Sequence, residues 1–419
     1  MSQFRTGASA MLIEKLIKMA TQLTSMILLA RFLGPGELGS LMYCYALASV
    51  FIFLNNFGLN SLLVKWLAEK PENSRSYLKL AFVLRAFAAL LSVILANLAG
   101  VWLVDPEARI LLFVISLYHL FMPVSIVEWY FQSQGKAVLS AYGLIAGAIV
   151  GFIIRVLALI YGADLVWLGA AYSLELIVVG LVYWLIWRKD NLYGASEISI
   201  DSVVSTAKQA LPLLLSGAVI MLYMRLDQLM LGHMVDDEEV GIYSAALRLS
   251  EAWYFVGLTI LGVYFPRFLQ LRKEHGEQAY IKSIVSIGRI VVWGAVALAL
   301  ITTLLADWVI QLFYGELFLE SAHVLVISIW AVTFVYMGAI SSQMFVADGR
   351  QILQLYRSIV ALIFNTVLNY ILIPKYGAAG AAMALLIAQM FAGVIFNLFG
   401  NWSVVKVQLA IMYAYKVKA

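Results

Sequence analysis

Residues 9–33 read SAMLIEKLIKMATQLTSMILLARFL, a run long enough to cross a bilayer yet carrying Glu14, Lys15 and Lys18 inside it. A helix needs roughly 20 apolar residues to span the hydrocarbon core. Ionisable groups at that depth are costly unless they face protein or water. Glu14, Lys15, Lys18, Thr21, Gln22 and Ser25 recur along one side of the helix. The stripe predicts a wet cavity; the competing reading is helix-to-helix hydrogen bonding plus a Glu14–Lys18 pair at i,i+4. Two lysines against one glutamate leave net positive charge, which favours the cavity.

The rest of the chain follows the same rule. Of 419 residues, 63% are hydrophobic and 12% charged, where a soluble domain would hold about 25% charged residues. Apolar runs predict further spans at 38–64, 77–103, 110–133, 138–161 and 165–187, then 205–232, 240–266, 281–306, 320–346, 352–374 and 378–404. The expected fold class is an all-α polytopic membrane protein of twelve transmembrane helices. The segment 188–204 (RKDNLYGASEISIDSVV) is the longest polar stretch before the seventh span. The expected organisation is a six-helix lobe over 1–188, a cytoplasmic linker at 189–204, a second six-helix lobe over 205–404 and a tail at 405–419.

Loop charge predicts orientation, since cytoplasmic loops are enriched in Lys and Arg. One side carries Arg5, Lys65, Lys70, Arg75, Lys79, Lys136, Arg188, Lys189, Lys208, Arg267, Arg272, Lys273, Lys282, Arg350, Lys406, Lys416 and Lys418. The other has Arg109 and Lys375, Arg31 at a helix end, and the acidic residues Asp236, Asp237, Glu238, Glu239, Asp307, Glu316 and Glu320. Both termini are therefore expected in the cytoplasm. The first span is not read as a cleavable signal, because its charges interrupt any apolar h-region. The single cysteine, Cys44, excludes an internal disulfide, and the four histidines show no zinc-like spacing.

The halves echo each other. Leu33-Gly34 and Leu38-Gly39 follow the first span; Leu231-Gly232 and Val240-Gly241 follow the seventh. Phe131…Gly135-Lys136 with Tyr142 corresponds to Phe345…Gly349-Arg350 with Tyr356, and Tyr161-Gly162 to Tyr376-Gly377. Six is even, so the expected repeats are parallel, related by an axis along the membrane normal, an arrangement in which transporters bind substrate between rocking halves.

Several of these stretches are similar to polysaccharide flippases of the Wzx/RfbX type, in the multidrug/oligosaccharidyl-lipid/polysaccharide (MOP) superfamily. The stretch from Asn365 through Asn369, Pro374 and Gly377 to Gly380 resembles their eleventh helix, and Arg31-Phe-Leu-Gly34-Pro35 the end of their first. Arg225-Leu-Asp227 through Gly232, then Val240-Gly241-Ile-Tyr243 through Arg248, resembles their seventh and eighth helices; Glu128-Trp-Tyr-Phe-Gln132 resembles their fourth. The resemblance implies two lobes around a central cavity in the bacterial inner membrane. It also implies transfer of an undecaprenyl-pyrophosphate-linked oligosaccharide from the cytoplasmic to the periplasmic leaflet. Lipid II flippases of the superfamily carry two further helices, so the twelve-span polysaccharide branch is expected.

At membrane depth the sequence places eight bases, Lys15, Lys18, Arg85, Arg155, Arg225, Arg248, Arg289 and Arg357, against five acids, Glu14, Glu128, Glu175, Asp227 and Glu251. The excess points to an anionic cargo, with Lys15, Lys18 and Arg155 as its leading contacts. Arg155 and Arg85 have no acid one turn away and need a partner from another helix or from substrate. Arg85 and Arg289 could instead snorkel to the cytoplasmic face. Arg248 and Glu251 stand at i,i+3, a spacing at which they can pair. Arg225 and Asp227 point in different directions. Asp227 is read as a proton acceptor or as part of an inter-helix bridge, and Glu128 and Glu175 are further titratable candidates. Arg357, Asn365 and Asn369 descend one face of the eleventh helix, and both asparagines suit sugar hydroxyls as well as helix packing.

No catalytic residue, metal site or cofactor is expected beyond a coupling H+ or Na+. The expected partners are the lipid-linked glycan, membrane lipids, a polysaccharide polymerase and a chain-length regulator, with no nucleic acid. An ion-coupled multidrug exporter of the same superfamily is the alternative, although its cationic cargo calls for acids over bases. A membrane-embedded polymerase or glycosyltransferase would bring large loops with catalytic carboxylates, and the loops here are short.

Overall fold

The computed structural model describes residues 2–56, 59–69, 73–187 and 200–413. Most of the expected linker at 189–204 and the end of the expected tail lie outside them, as do Lys70, Arg188, Lys416 and Lys418. Among the described residues there is no strand. The helices are α1 (Ser2–Val50), α2 (Ile52–Asn56), α3 (Leu59–Glu69), α4 (Ser74–Leu103), α5 (Arg109–Ser116), α6 (Tyr118–Phe121), α7 (Ile126–Ser133), α8 (Ala137–Ile160), α9 (Leu165–Trp187) and α10 (Ile200–Met234). They continue as α11 (Asp237–Phe313), α12 (Ser321–Ser328), α13 (Ala331–Ala347), α14 (Ile352–Gly393) and α15 (Trp402–Met412). Among the described residues, eight stretches are long and apolar enough to cross a membrane.

Three helices are too long for one crossing. At 1.5 Å per residue, the 49 residues of α1, 77 of α11 and 42 of α14 would run about 74, 116 and 63 Å, against a hydrocarbon core of roughly 30 Å. Each is broken by one glycine in the left-handed region: Gly34 (φ 73°), Gly276 (φ 79°) and Gly377 (φ 52°). Pro35 then opens the next helix at a position where its missing N–H costs nothing. One pair of sequence echoes also shares a conformation. Gly135 and Gly349 both have φ 70°, and the Lys136 and Arg350 amides return to the Phe131 and Phe345 carbonyls at 2.8 Å. These are matching glycine C-caps.

The chain forms two compact units, one of residues 1–32 and 40–225, the other of 33–39 and 226–419. In the first, α8 and α9 meet along Gly143, Gly147 and Gly151. A Cβ at these positions would stand 2.3 Å from Tyr183, 2.4 Å from Val179 and 2.9 Å from the Glu175 carboxylate. Small residues at four-residue spacing let helix backbones close up where no water-driven collapse assists packing. Leu59, Leu63, Leu84, Phe131 and Tyr183 form a buried core of this unit.

In the second unit Gly39 and Gly241, matched positions of the two echoes, touch backbone to backbone. A Cβ on Gly39 would fall 1.6 Å from the Asp237 carbonyl oxygen, and one on Gly241 2.0 Å from that of Pro35. Elsewhere in this unit the Tyr336 hydroxyl accepts from the Gly257 amide at 3.0 Å and donates to the Trp253 carbonyl. One ring thus holds both ends of a single helical rung of α11.

The expected twelfth span, 378–404, does not run through. The α14 helix ends at Gly393, and a separate α15 begins at Trp402 and takes in most of the expected tail. Asn397 and Gln408 both donate to the Gly393 carbonyl, at 3.0 and 2.7 Å, and Gly400 turns the chain with φ 93°. Arg289 does not snorkel: its Nε and Nη2 both donate to the Ala410 carbonyl at the end of α15, at 3.0 and 2.7 Å. Apolar composition alone did not reveal this break.

Candidate functional site

In the first unit the stripe of α1 is uneven. Glu14 and Ser25 are buried, Lys18 is half-buried, and Lys15 and Gln22 are exposed. Thr21 turns its hydroxyl back on the Ile17 and Lys18 carbonyls, both at 3.0 Å. Lys18 and Lys15 are the charged neighbours of Glu14. Glu128 on α7 accepts from Gln132 at 2.9 Å and lies within electrostatic range of Lys18, Glu14 and Arg85. Helices α1, α4 and α7 thus gather two acids and two bases, Glu14, Glu128, Lys18 and Arg85, in one neighbourhood.

Arg85 is fully buried, so the snorkelling expectation fails for it. Its Nε donates to the Asn55 carbonyl at 2.6 Å, its Nη1 to Ser125 Oγ at 2.8 Å, and its guanidinium lies 4.5 Å from the Trp129 ring centre. The chain breaks after Val50 and the short α2 ends at Asn56, and carbonyls at helix ends need donors from outside their own helix. Ser92 donates to the Phe51 carbonyl at 3.2 Å. His119 Nε2 stands 3.0 Å from the Ala48 carbonyl and its Nδ1 2.6 Å from Asn55 Nδ2, so Nε2 carries the proton and Nδ1 accepts. Sequence reasoning passed over Asn55, Ser92 and His119. Their only trace was polarity inside apolar runs.

Arg155 finds its partner on the neighbouring helix, with Nη2 2.8 Å from Glu175 Oε2. The glycine stripe of α8 creates this pair, since Gly151 lets Glu175 lie against α8 one turn before Arg155. The Arg155 guanidinium also lies 4.7 Å from the centre of the Tyr172 ring, which stacks on Tyr45 at 4.6 Å. Arg225 lies 5.5 Å from the centre of the Tyr45 ring.

In the second unit a buried polar cluster surrounds Asp227. Tyr243 donates to Asp227 Oδ2 at 2.8 Å and Asn369 Nδ2 to Oδ1 at 2.6 Å; the same nitrogen donates to Asn365 Oδ1 at 3.1 Å. Asn365 Nδ2 and Asn369 Oδ1 are buried with no hydrogen-bond partner. The two asparagines read as candidate sugar contacts therefore face a carboxylate. The other charges of this unit serve nearer groups. Arg248 and Glu251 stand 3.7 Å apart, and Arg357 donates to the Gly338 carbonyl at 3.0 Å and to Ser342 Oγ at 2.6 Å.

Residues 4–272 match the family model described as polysaccharide biosynthesis protein. The capsular polysaccharide biosynthesis protein CapF of Staphylococcus aureus is 21% identical over 182 residues, covering 43% of this chain; the match spans about half, 46%, of that relative's length. Among solved structures, the lipid II flippase MurJ in an inward closed conformation superposes with a TM-score of 0.76 at 17% identity, covering 97% of this chain and 90% of that one. An inward-facing multidrug resistance MATE family transporter of the MOP superfamily gives 0.66 at 16% identity, covering 93% and 95%. At these identities the likeness is one of fold. The chain is thus a multi-pass membrane protein with a MOP-superfamily fold, and it belongs to the polysaccharide biosynthesis protein family.

Proposed function

We propose that the protein is a flippase. It carries undecaprenyl-pyrophosphate-linked oligosaccharide units from the cytoplasmic to the periplasmic leaflet of the bacterial inner membrane, for surface polysaccharide (O-antigen, capsule or exopolysaccharide) synthesis. One observation carries this reading beyond family and fold. Of the membrane-depth charges in the first unit, five are basic (Lys15, Lys18, Arg85, Arg155, Arg225) and three acidic (Glu14, Glu128, Glu175). A diphosphate cannot enter hydrocarbon without replacement of its hydration, and cationic side chains of a cavity provide that. The glycan fills the cavity while the polyprenyl tail stays in lipid. Arg155 is neutralised by Glu175, so the headgroup falls first to Lys15 and Lys18.

We further propose twelve crossings in two parallel lobes with both termini cytoplasmic. The eight long stretches, three of them doubled at Gly34, Gly276 and Gly377, together with α10, support that count. Alternating access is driven by H+ or Na+ at Asp227. As oriented, the amides of Asn369 and Asn365 suit an ionised carboxylate. Reversing both would turn Asn369 Oδ1 towards a protonated Asp227 and let Asn365 Nδ2 donate to it, so the same trio can satisfy either state. A polysaccharide polymerase and a chain-length regulator would act beside the flippase on the exported units.

The test is reconstitution in vesicles loaded with a polyprenyl-diphosphate-linked oligosaccharide, read by accessibility of the glycan to an impermeant lectin. Transfer that responds to an imposed ion gradient and is lost in Lys18→Gln and Asp227→Asn is expected. Absence of transfer, with gradient-driven efflux of a cationic dye instead, would establish the multidrug exporter reading.

A further inference from the structure

Arg85 of the first unit leaves one donor unused. Its Nε donates to the Asn55 carbonyl at 2.6 Å and its Nη1 to Ser125 Oγ at 2.8 Å, yet its Nη2 is buried with no hydrogen-bond partner. A bare donor on a buried charged group is costly and calls for an acceptor in another state of the site. One acceptor is at hand, because Glu128 is the charged neighbour of Arg85. It follows Ser125 by three residues and precedes Trp129, whose ring centre lies 4.5 Å from the guanidinium. Arg85 is thus already held against the turn that carries Glu128. The Glu128 carboxylate accepts instead from Gln132, one turn further along α7, at 2.9 Å.

Glu128 also answers to α1. Among charged neighbours, Lys18 acts most strongly on both Glu128 and Glu14. A lysine facing two carboxylates is largely neutralised without cargo, and an arriving diphosphate meets their repulsion. That weakening suits a carrier, since an anion gripped by uncompensated cations leaves slowly. We infer that Glu128 is an exchangeable counter-ion: it tempers Lys18 without cargo, and when phosphate oxygens reach Lys18 its carboxylate swings to the bare Nη2 of Arg85. Each charge then keeps a partner in both states, and the swing involves one side chain between α4 and α7. This rests on the flippase reading and deepens it, because it names the group that the diphosphate displaces and the donor that receives it.

The test measures binding of farnesyl diphosphate, with farnesol as the uncharged control, to the full-length protein in lipid nanodiscs. Glu128→Gln keeps the shape and removes the counter-charge. It should bind the diphosphate about tenfold more tightly, the scale of one partly screened charge, chiefly through slower release, with farnesol unchanged. A gain of affinity is not what a damaged fold yields. Arg85→Lys keeps the charge but lacks Nη2, and should weaken diphosphate binding about threefold in the native background and not in Glu128→Gln. Gln132→Met removes the present partner of Glu128 and should tighten binding about threefold; it carries the second arm should Arg85→Lys not fold. Unchanged or weaker binding in Glu128→Gln overturns the counter-ion role. Arg85→Lys without effect, or with equal loss in both backgrounds, overturns the swing to Arg85, as does unchanged or weaker binding in Gln132→Met. These outcomes leave the flippase reading intact, whereas no diphosphate binding by the native protein overturns both.

Discussion

Replacing Arg155 by Gln separates two roles that its position allows. The pair with Glu175 is enclosed, with side-chain exposures of 7% and 19%. Removing one partner of a buried pair costs about 3–5 kcal/mol because the other charge is left uncompensated. The residual exposure of Glu175 lowers this to about 2–2.5 kcal/mol, and loss of the contact with Tyr172 adds about 0.5–1 kcal/mol. Arg155→Gln is therefore expected to destabilise the protein by about 3 kcal/mol, and Glu175→Gln by a similar amount. The double variant replaces two charges with two amides that can bond to each other. It should lie about 2–3 kcal/mol below the native protein, against the roughly 6 kcal/mol of simple addition, and a coupling of that size is measurable. The assay is denaturant unfolding of purified protein in micelles for all four forms, with glycan transfer measured on those that fold. Additive single effects, with coupling below about 0.5 kcal/mol, would refute the structural pair. A stable double variant that transfers glycan at the native rate would remove Arg155 from the substrate contacts, and a stable one that fails would restore it.

Other substitutions test the packing. Gly39→Ala and Gly241→Ala each drive a methyl into a backbone carbonyl, at 1.6 and 2.0 Å. Both should lower membrane abundance sharply and cost at least about 3 kcal/mol, while Gly36→Ala and Gly262→Ala, with nothing within 4 Å, should stay within about 1 kcal/mol of native. Gly257→Ala meets the Tyr336 ring at 2.3 Å and is expected to be more harmful than Tyr336→Phe. The latter removes only the hydroxyl on the Trp253–Gly257 rung and should cost about 1–2 kcal/mol by thermal unfolding. Arg289→Met removes the donors that hold the Ala410 carbonyl. Faster amide hydrogen exchange confined to 402–412 is expected, and exchange unchanged there would show that the apolar face of α15 suffices to hold it.

Much of the fold could be read because a membrane imposes few choices. Each crossing demands a long apolar run, and single-residue reversals favour glycine: Gly377 and its echo Gly162 both have positive φ, whereas Gly34 does and its echo Gly232 does not. The sequence did not show how the polar residues inside those runs choose partners. Arg155 and Glu175 lie twenty positions apart, Asp227 and Asn369 142 apart, and no helical periodicity relates them. Arg85 was harder still, since its acceptor is the backbone of Asn55, freed by a helix break, and a carbonyl leaves no letter in the sequence. The α15 boundary was hidden for a related reason: Asn397 and Gln408 end α14 by bonding to the Gly393 carbonyl inside a stretch that reads as continuously apolar.

These pairings change what the positive excess means. Eight bases against five acids suggested a cationic path, but a count treats every charge as available. Arg155 and Arg248 face carboxylates, and Arg85, Arg289 and Arg357 donate to carbonyls or hydroxyls that their own fold exposes. A guanidinium committed in this way stabilises a helix contact, and recruiting it to a phosphate would leave an acceptor bare, at about 1–3 kcal/mol for each group. The anion hypothesis therefore rests first on Lys15 and Lys18 of α1, both in the first unit. Asp227, two residues beyond Arg225 on the same helix, belongs to the second unit. Cargo would then be read in the first unit and the ion in the second. Variants at Lys18 should impair cargo binding without altering ion dependence, and variants at Asp227 should do the reverse; loss of both functions from either substitution alone would refute this division.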